Sequence, residues 1–331
     1  MITKSINVFN LNVPCCNCCR YCLLSWSGDV LGIDYDRSVK FADKFYNWLK
    51  ENRPEIKFTY YFGYSMEHPK LLDVIKFMQK TNSPGGEFLQ FDGMRKRTKE
   101  ELNTFLNELK NVGIKLIDMT FYGDESYHDQ FAGRKGDYQL MLDTIDVALG
   151  VGIDVQVGIP VMKDNLNQLD GLVEAFLQKN IRLHLFTPHS GGRGKTIQNQ
   201  KIALLDYEKM SDKVKKQFNR NGNKTPLEWL NQPPKEVKSR VLTLSLLKSN
   251  IEDLEKKSFE EIIANLEQMD DEFYSQIPSF DELLEKYADK NDCHLYTKKD
   301  LYSIYRTRYF RENNLKITDI TDERFCGSIR Y

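Results

Sequence analysis

Apolar positions along the first two-thirds of the chain recur with a period of two in some segments and of three to four in others. The switches between these periods mark the elements. SINVFNLN (5–12) alternates and predicts a strand, followed by a helix near 35–51. IKFTYYF (56–62) and EFLQF (87–91) read as strands two and three, with a helix over 68–80 between them. The third helix runs from about 98 to 111: Thr98 and Glu101 are spaced as a capping box, Leu102, Phe105, Leu106 and Leu109 share a face, and Gly113 supplies the stop. The pattern continues with strands at 114–121, 153–161 and 181–186 and helices at 137–149 and 166–179. Six such alternations predict an α/β fold with a parallel sheet, wound as a barrel or open, whose binding groups gather at the carboxyl ends of the strands.

After Pro188 the character changes. A glycine-rich, basic loop (189–201) leads into charged helical patterns, among them 241–269, while Tyr302 to Phe310 is aromatic-rich and fits neither period clearly. The expected division is 1–200 as the barrel and 201–331 as a mainly helical extension covering its mouth. The 331 residues accommodate one barrel of roughly 200 to 250 residues plus such an extension. A formal net charge of -1 gives no electrostatic case for nucleic acid or an anionic membrane, and the lysine-rich run from Lys213 to Lys224 reads as a solvated face. With no long apolar stretch and no apolar leader at the N-terminus, the expected location is cytoplasmic.

Cysteine placement carries the chemistry. Five of the seven cysteines (Cys15, Cys16, Cys18, Cys19, Cys22) crowd a loop between the first strand and the first helix, and Cys293 and Cys326 lie near the far end. Neighbours so close cannot all reach disulfide geometry, so the crowding points to metal. Only Cys15, Cys19 and Cys22 satisfy the spacing i, i+4, i+7, since a start at Cys16 requires Arg20 and a start at Cys18 requires Ser25. Three thiolates from one short loop can hold three corners of a cubane cluster and leave the fourth iron open. The bland alternative is structural zinc, but two abutting Cys-x-x-Cys pairs lack the intervening residues that let two knuckles converge.

This loop, with the aromatic Tyr21 before its last cysteine, resembles that of the radical S-adenosylmethionine (SAM) enzymes. FYGDESYHDQFAGRKGDYQLMLDTID (121–146), GIDVQVGIPVMKDN (152–165) and TPHSGGRGK (187–195) resemble later landmarks of that family in the expected order, so the likeness covers about residues 5–195. It implies a partial (β/α)6 barrel of the TIM type, a 4Fe–4S cluster on Cys15, Cys19 and Cys22, and SAM chelated at the open iron. Reduction would then release a 5′-deoxyadenosyl radical that abstracts hydrogen from a substrate.

By the same mapping Thr120 and Tyr122 are candidates for the SAM ribose, Leu185 and Phe186 for the adenine, and Arg134 for the carboxylate, and the resemblance places Tyr21 among the cofactor-binding residues as well. The family's Gly-Gly-Glu-Pro after strand two is replaced by Phe62-Gly63-Tyr64-Ser65, which leaves Gly63, Tyr64 and Ser65 to meet the methionyl amino group. The literal Gly85-Gly86-Glu87 sits at the amino end of strand three and reads as a turn. His128 and Asp129 are expected to serve hydrogen bonding rather than acid-base catalysis. The resemblance also implies an electron donor such as a flavodoxin or ferredoxin. The substrate expected is a ribosomally made peptide, since residues 280–310 resemble tails of peptide-modifying members, with a small metabolite as the alternative and a non-enzymatic metal protein as the alternative of another class. Too few cysteines remain for a second cluster, and Cys293 is a candidate hydrogen-atom donor.

Overall fold

The computed structural model describes residues 1–11, 15–23, 32–63, 66–233, 236–315 and 327–330. Strand β1 (Ile2–Asn10) is followed by α1 (Tyr35–Asn52), β2 (Lys57–Phe62), α2 (Leu71–Lys80), β3 (Phe88–Gln90), α3 (Lys99–Asn111) and β4 (Leu116–Thr120). Two helices, α4 (Glu125–Ala132) and α5 (Asp137–Val151), precede β5 (Asp154–Pro160), which is followed by α6 (Leu169–Gln178) and β6 (Arg182–Phe186). The remainder holds α7 (Leu204–Lys209), α8 (Asp212–Gln217), β7 (Asn223–Lys224), α9 (Pro226–Leu230), β8 (Ser239–Leu246), α10 (Ile251–Leu254), α11 (Phe259–Ser275), α12 (Phe280–Tyr287), β9 (Tyr296–Thr297), α13 (Lys298–Glu312) and β10 (Gly327–Arg330).

Eight strands form two four-stranded sheets, ordered β10-β8-β1-β2 and β3-β4-β5-β6, in which every pair except β10 with β8 is parallel, and β7 and β9 form a small antiparallel pair. Sequential order with a helix in each crossover is the plan of a (β/α) barrel, although among the described residues no ladder joins β2 to β3. Helix α2 spans that seam: Leu71 and Ile75 pack into the core behind β3 to β6, Val74, Phe77 and Met78 into the core behind β8, β1 and β2. The predicted capping box forms at Thr98 and Glu101, and Gly85 and Gly86 lie in a 3-10 turn at the amino end of β3.

Alternation along β3 to β6 sorts two faces. Leu89, Ile117, Met119, Val155, Val157, Ile159 and Leu185 pack against the helices. The intervening positions are mostly polar and touch one another: Gln156 Nε2 donates to Asp118 Oδ1 at 3.4 Å, and the His184 ring stacks on Phe186 at 5.7 Å. These residues line the inner face of the sheet.

The expected helical pattern over 241–269 is corrected at its start. Residues 239–246 are strand β8, parallel to β1, and helix resumes at α10 and α11. In SRVLTLSL the buried residues Arg240, Leu242, Leu244 and Leu246 repeat with period two, and Leu242, Leu244 and Leu246 share a core with Ile262, Ile263 and Leu266 of α11. The ambiguous 302–310 segment lies inside α13. Among the described residues no helix is long and apolar enough to cross a membrane.

Candidate metal centre

The cysteine loop leaves the carboxyl end of β1 and is held by the carboxyl-end loops of three other strands. Cys16 N–H donates to the Gly93 carbonyl at 2.7 Å, just beyond β3; Cys18 and Arg20 N–H donate to Ala132 and Phe131 carbonyls at 2.8 and 3.0 Å, at the end of α4. The Arg193 N–H, beyond β6, donates to the Cys22 carbonyl at 3.0 Å. Backbone bonds alone do not select residue types, but space does. Gly93 has φ +68°, and a Cβ there would lie 2.2 Å from Cys15 Sγ; Gly192 has φ +51°, and its Cβ would lie 2.2 Å from the Leu23 carbonyl oxygen. Both positions demand glycine. Gly93→Ala is therefore expected to lose most of the iron taken up on reconstitution while keeping wild-type far-UV circular dichroism. Full iron loading in that variant would contradict the close packing.

Cys15, Cys19 and Cys22 are half-buried, whereas Cys16 and Cys18 are exposed. Burial pushes the Cys15 thiol up to about 11 and Cys19 up to about 12, and the charges of Asp92 and of the other thiols in the set add to this. Cys15 and Cys22 pack on the same small apolar cluster, Leu11 and Leu247. Cys18 points elsewhere, its Sγ accepting from the Arg193 guanidinium at 3.0 Å. Among the described residues no three His, Cys, Asp or Glu side chains converge as a single ion requires. Sulfurs around one zinc stand about 4 Å apart, whereas a cubane places each on a separate iron. Three thiols at i, i+4 and i+7 are the kind of donor set such a cluster takes, and loading it would release their protons.

Behind the loop lies a buried network. The Tyr122 hydroxyl donates to Cys19 Sγ at 3.3 Å, and the Tyr122 N–H donates to His128 Nδ1 at 3.3 Å. That bond assigns the His128 proton to Nε2, which donates to Asp137 Oδ2 at 3.2 Å. Asp137 also accepts from Asn17 Nδ2 at 2.8 Å, closing a circuit back to the cysteine loop. The partner of His128 is thus Asp137, while Asp129 accepts from the Gly136 and Tyr138 N–H groups at the start of α5. Asn165, fully buried, donates to the Tyr122 and Pro160 carbonyls at 2.7 and 2.8 Å and locks the ends of β4 and β5 together.

The residues proposed for SAM separate into groups. Tyr21 packs on Tyr122, Phe131 and His189 with ring centroids 5.6, 5.7 and 5.2 Å away, so it anchors the loop. Arg134 is drawn into the network: it donates to Asn17 Oδ1 at 3.3 Å and to the Met94 carbonyl, and lies 3.4 Å from Asp137. Gly63 N–H donates to the Asn10 carbonyl at 3.0 Å, at the joint ends of β1 and β2. The Leu185 side chain is buried in the core on the helix side, while Phe186 lies on the inner face beside His184. Tyr64, Ser65 and Cys326 fall outside the described residues. Cys293 is exposed on the loop before β9, its carbonyl accepting from the Leu204 N–H at 2.8 Å, and its described contacts do not reach the cysteine loop.

Asp92 is the site residue that sequence reasoning missed. It lies two residues beyond β3 and accepts from Thr120 N–H at 2.9 Å and Thr120 Oγ1 at 3.0 Å, so the Thr120 hydroxyl is already engaged. Burial pushes its carboxyl up to about 7, against those bonds and with the charges of Asp118 and Asp137 adding. Asp118, one step deeper on β4, is pushed up to about 6 by burial. The Asp-Gly pair at the carboxyl end of a strand was the available signal.

No family model matches the chain, and no curated protein is similar to it at a significant level. Among solved structures, it is similar to Streptococcus suis SuiB bound to precursor peptide SuiA, at 14% identity and a TM-score of 0.48, over 66% of this chain and 48% of that one. It is similar to anSMEcpe with bound AdoMet at 15% identity and a TM-score of 0.41, over 62% of this chain and 55% of that one. It is also similar to coproporphyrinogen III oxidase (HemN) from Escherichia coli, described as a radical SAM enzyme, at 13% identity and a TM-score of 0.38, over 64% of this chain and 48% of that one. The chain thus spans about half the length of each of these proteins.

Proposed function

We propose that this chain is a radical SAM enzyme. The observation that carries the reading is the one triad of cysteines with i, i+4, i+7 spacing, all half-buried on a loop seated where the carboxyl ends of parallel strands meet. When bound, a 4Fe–4S cluster on Cys15, Cys19 and Cys22 supplies the electron that cleaves SAM to methionine and a 5′-deoxyadenosyl radical. The chain's own residues hold and shield that chemistry. Tyr122 directs its hydroxyl at the Cys19 sulfur, and hydrogen bonds to ligating sulfurs are one of the levers that set a cluster's potential. Asp92, Asp118, Gln156 and His184 offer donors and acceptors on the inner face, where polar groups of SAM and substrate would be oriented.

The test is anaerobic reconstitution with iron and sulfide, followed by SAM and dithionite. Formation of 5′-deoxyadenosine and methionine is expected; a protein that loads iron yet leaves SAM intact would instead be a non-enzymatic metal protein. For the substrate, the reading is a ribosomally made peptide, supported by the likeness of residues 280–310 to tails of peptide-modifying members. A short open reading frame beside the gene would supply the peptide, and a mass change on co-expression would identify the modification. Deoxyadenosine stimulated by a metabolite but by no encoded peptide would favour a small-molecule substrate.

A further inference from the structure

On the inner face of β3 to β6 one carboxylate stands without a counter-charge. The Asp118 side chain is 15% exposed, and among the described residues its hydrogen bond is the long one from Gln156 Nε2 at 3.4 Å. The basic group set against it is the His184 imidazole, whose Nδ1 lies 4.0 Å from Asp118 Oδ1, beyond hydrogen-bond reach. That Nδ1 is buried and has no hydrogen-bond partner among the described residues, although the side chain as a whole is 43% exposed. Gly158, the neighbour of His184 on β5, makes the placement possible: a Cβ there would lie 2.8 Å from His184 Nε2 and 2.9 Å from Cε1, so the ring reaches across β5 toward β4. The two groups do not cancel. Burial holds His184 below its ordinary range and neutral at pH 7, while Asp118, pushed up to about 6, still carries its charge there.

Lysine and arginine are missing from the surrounding walls. Across β1 to β6 they occur only as Lys4, Lys57 and Arg182, all exposed near the amino ends, and Arg182 is paired with Asp154 at 3.4 Å. Arg240 of β8 is turned to Asp270 of α11. In the other sheet the positions that alternate with its core, Asn7, Phe9, Thr59, Tyr61 and Thr243, are uncharged. A largely buried charge is costly unless paired, so Asp118 is complementary to a cation that a ligand brings.

We propose that Asp118 and His184 form a substrate subsite for a cationic nitrogen, the ammonium of a lysine-like group or the guanidinium of an arginine-like one, one step deeper on the inner face than Thr120. Calling the ligand a substrate rests on the radical SAM reading; the preference for a cation rests on the walls alone. With the imidazole proton on Nε2, two N–H groups of the cation donate to Asp118 Oδ1 and His184 Nδ1, and an ammonium about 2.8 Å from each spans the gap between them. A neutral or acidic group would leave the carboxylate unpaired. A basic side chain of a peptide and a free amine share this chemistry.

The chain has five histidines, so the anaerobically reconstituted protein with carbon-labelled imidazole rings gives few ring signals by NMR, and His184→Gln assigns the one needed. N-acetyl-lysine methylamide and N-acetyl-arginine methylamide are the probes, and at least one is expected to move the His184 signal saturably. The corresponding norleucine and glutamate compounds should leave it in place. Asp118→Asn keeps the shape of the side chain and an acceptor for Gln156, and should weaken the binding cation by about tenfold or more. Pentylamine distinguishes the sources: weaker binding than the capped lysine marks a peptide side chain, and equal binding marks a free amine. A saturable shift with neither cation, an equal shift with the norleucine compound, or unchanged affinity in Asp118→Asn would overturn the proposal. So would a shift produced by SAM alone and abolished by Asp118→Asn, which would give the carboxylate to the sulfonium of the cofactor. None of these readings requires turnover, so a protein that binds the cation yet forms no 5′-deoxyadenosine with dithionite would strike the enzymatic reading alone.

Discussion

Replacing Cys15, Cys19 or Cys22 singly by alanine is expected to abolish the cluster and all SAM cleavage, whereas Cys16→Ala and Cys18→Ala should keep both. The three required thiols are half-buried, and Cys15 and Cys22 pack on the same apolar pair, Leu11 and Leu247, while Cys19 is held by the Tyr122 hydroxyl. Cys16 is exposed and fixed through its backbone, and Cys18 is turned toward Arg193. Alanine in place of a small, partly exposed thiol removes little packing, so the fold should survive all five changes and any loss of iron reports ligation. The measurement is iron content together with the broad visible absorption of the reconstituted protein, on the order of 400 nm. A full cluster in Cys19→Ala would sink the ligand assignment. A triple Cys15/Cys19/Cys22 variant should bind essentially no iron; stoichiometric iron there would reveal a second site.

How much of this was readable beforehand depends on the range of the interaction that decides each feature. Strands β1 to β6 and helices α1, α2, α3, α5 and α6 follow from local periodicity, whereas α4 was not predicted, and the capping box at Thr98 is a contact between residues three apart. The cysteine register is equally local. Strand β8 was misread because leucine-rich VLTLSLL suits either period; its state is decided by β1, whose Asn10 pairs with Leu246 far along the sequence and which offers an edge for a parallel partner. The pairing of His128 with Asp137 rather than its neighbour Asp129 reflects the same principle. Adjacent residues in α4 point apart, and the turn at Gly133 to Gly136 brings Asp137 back over the imidazole. Thr120 was assigned a ligand role by its place at the end of β4, but only the folded register shows Asp92 beside it, already taking both its N–H and its hydroxyl.

Asp270→Ala is expected to be the most destabilising single change outside the cluster pocket. Its carboxylate, fully buried on α11, accepts from Arg240 Nη1 of β8 at 2.9 Å, from Arg330 Nη2 of β10 at 2.8 Å and from the Ser328 hydroxyl. Arg240 Nε also donates to Thr3 Oγ1 of β1 at 3.1 Å, so one carboxylate ties together the strand that carries the cysteine loop, its parallel neighbour, the C-terminal strand and the helix behind them. Removing it leaves a nearly buried guanidinium whose remaining carboxylate partners are the more exposed Glu267 and Asp271. Loss of one member of a buried pair costs about 3 to 5 kcal/mol, and those residual partners favour the lower end. A fall in Tm of about 5 °C is therefore expected. Although burial pushes the Asp270 carboxyl up, the bonds from Arg330, Ser328 and Arg240 outweigh it and hold the group below its ordinary range. Its contribution to stability is then fully present above the unfolded value near 4 and is lost as pH falls through the lower folded value. The gap in Tm between wild type and Asp270→Ala should accordingly be constant near neutrality and narrow on acidification below about pH 4. Equal melting of the two proteins at neutral pH, or a gap that widens in acid, would show that the four elements are not held by this carboxylate.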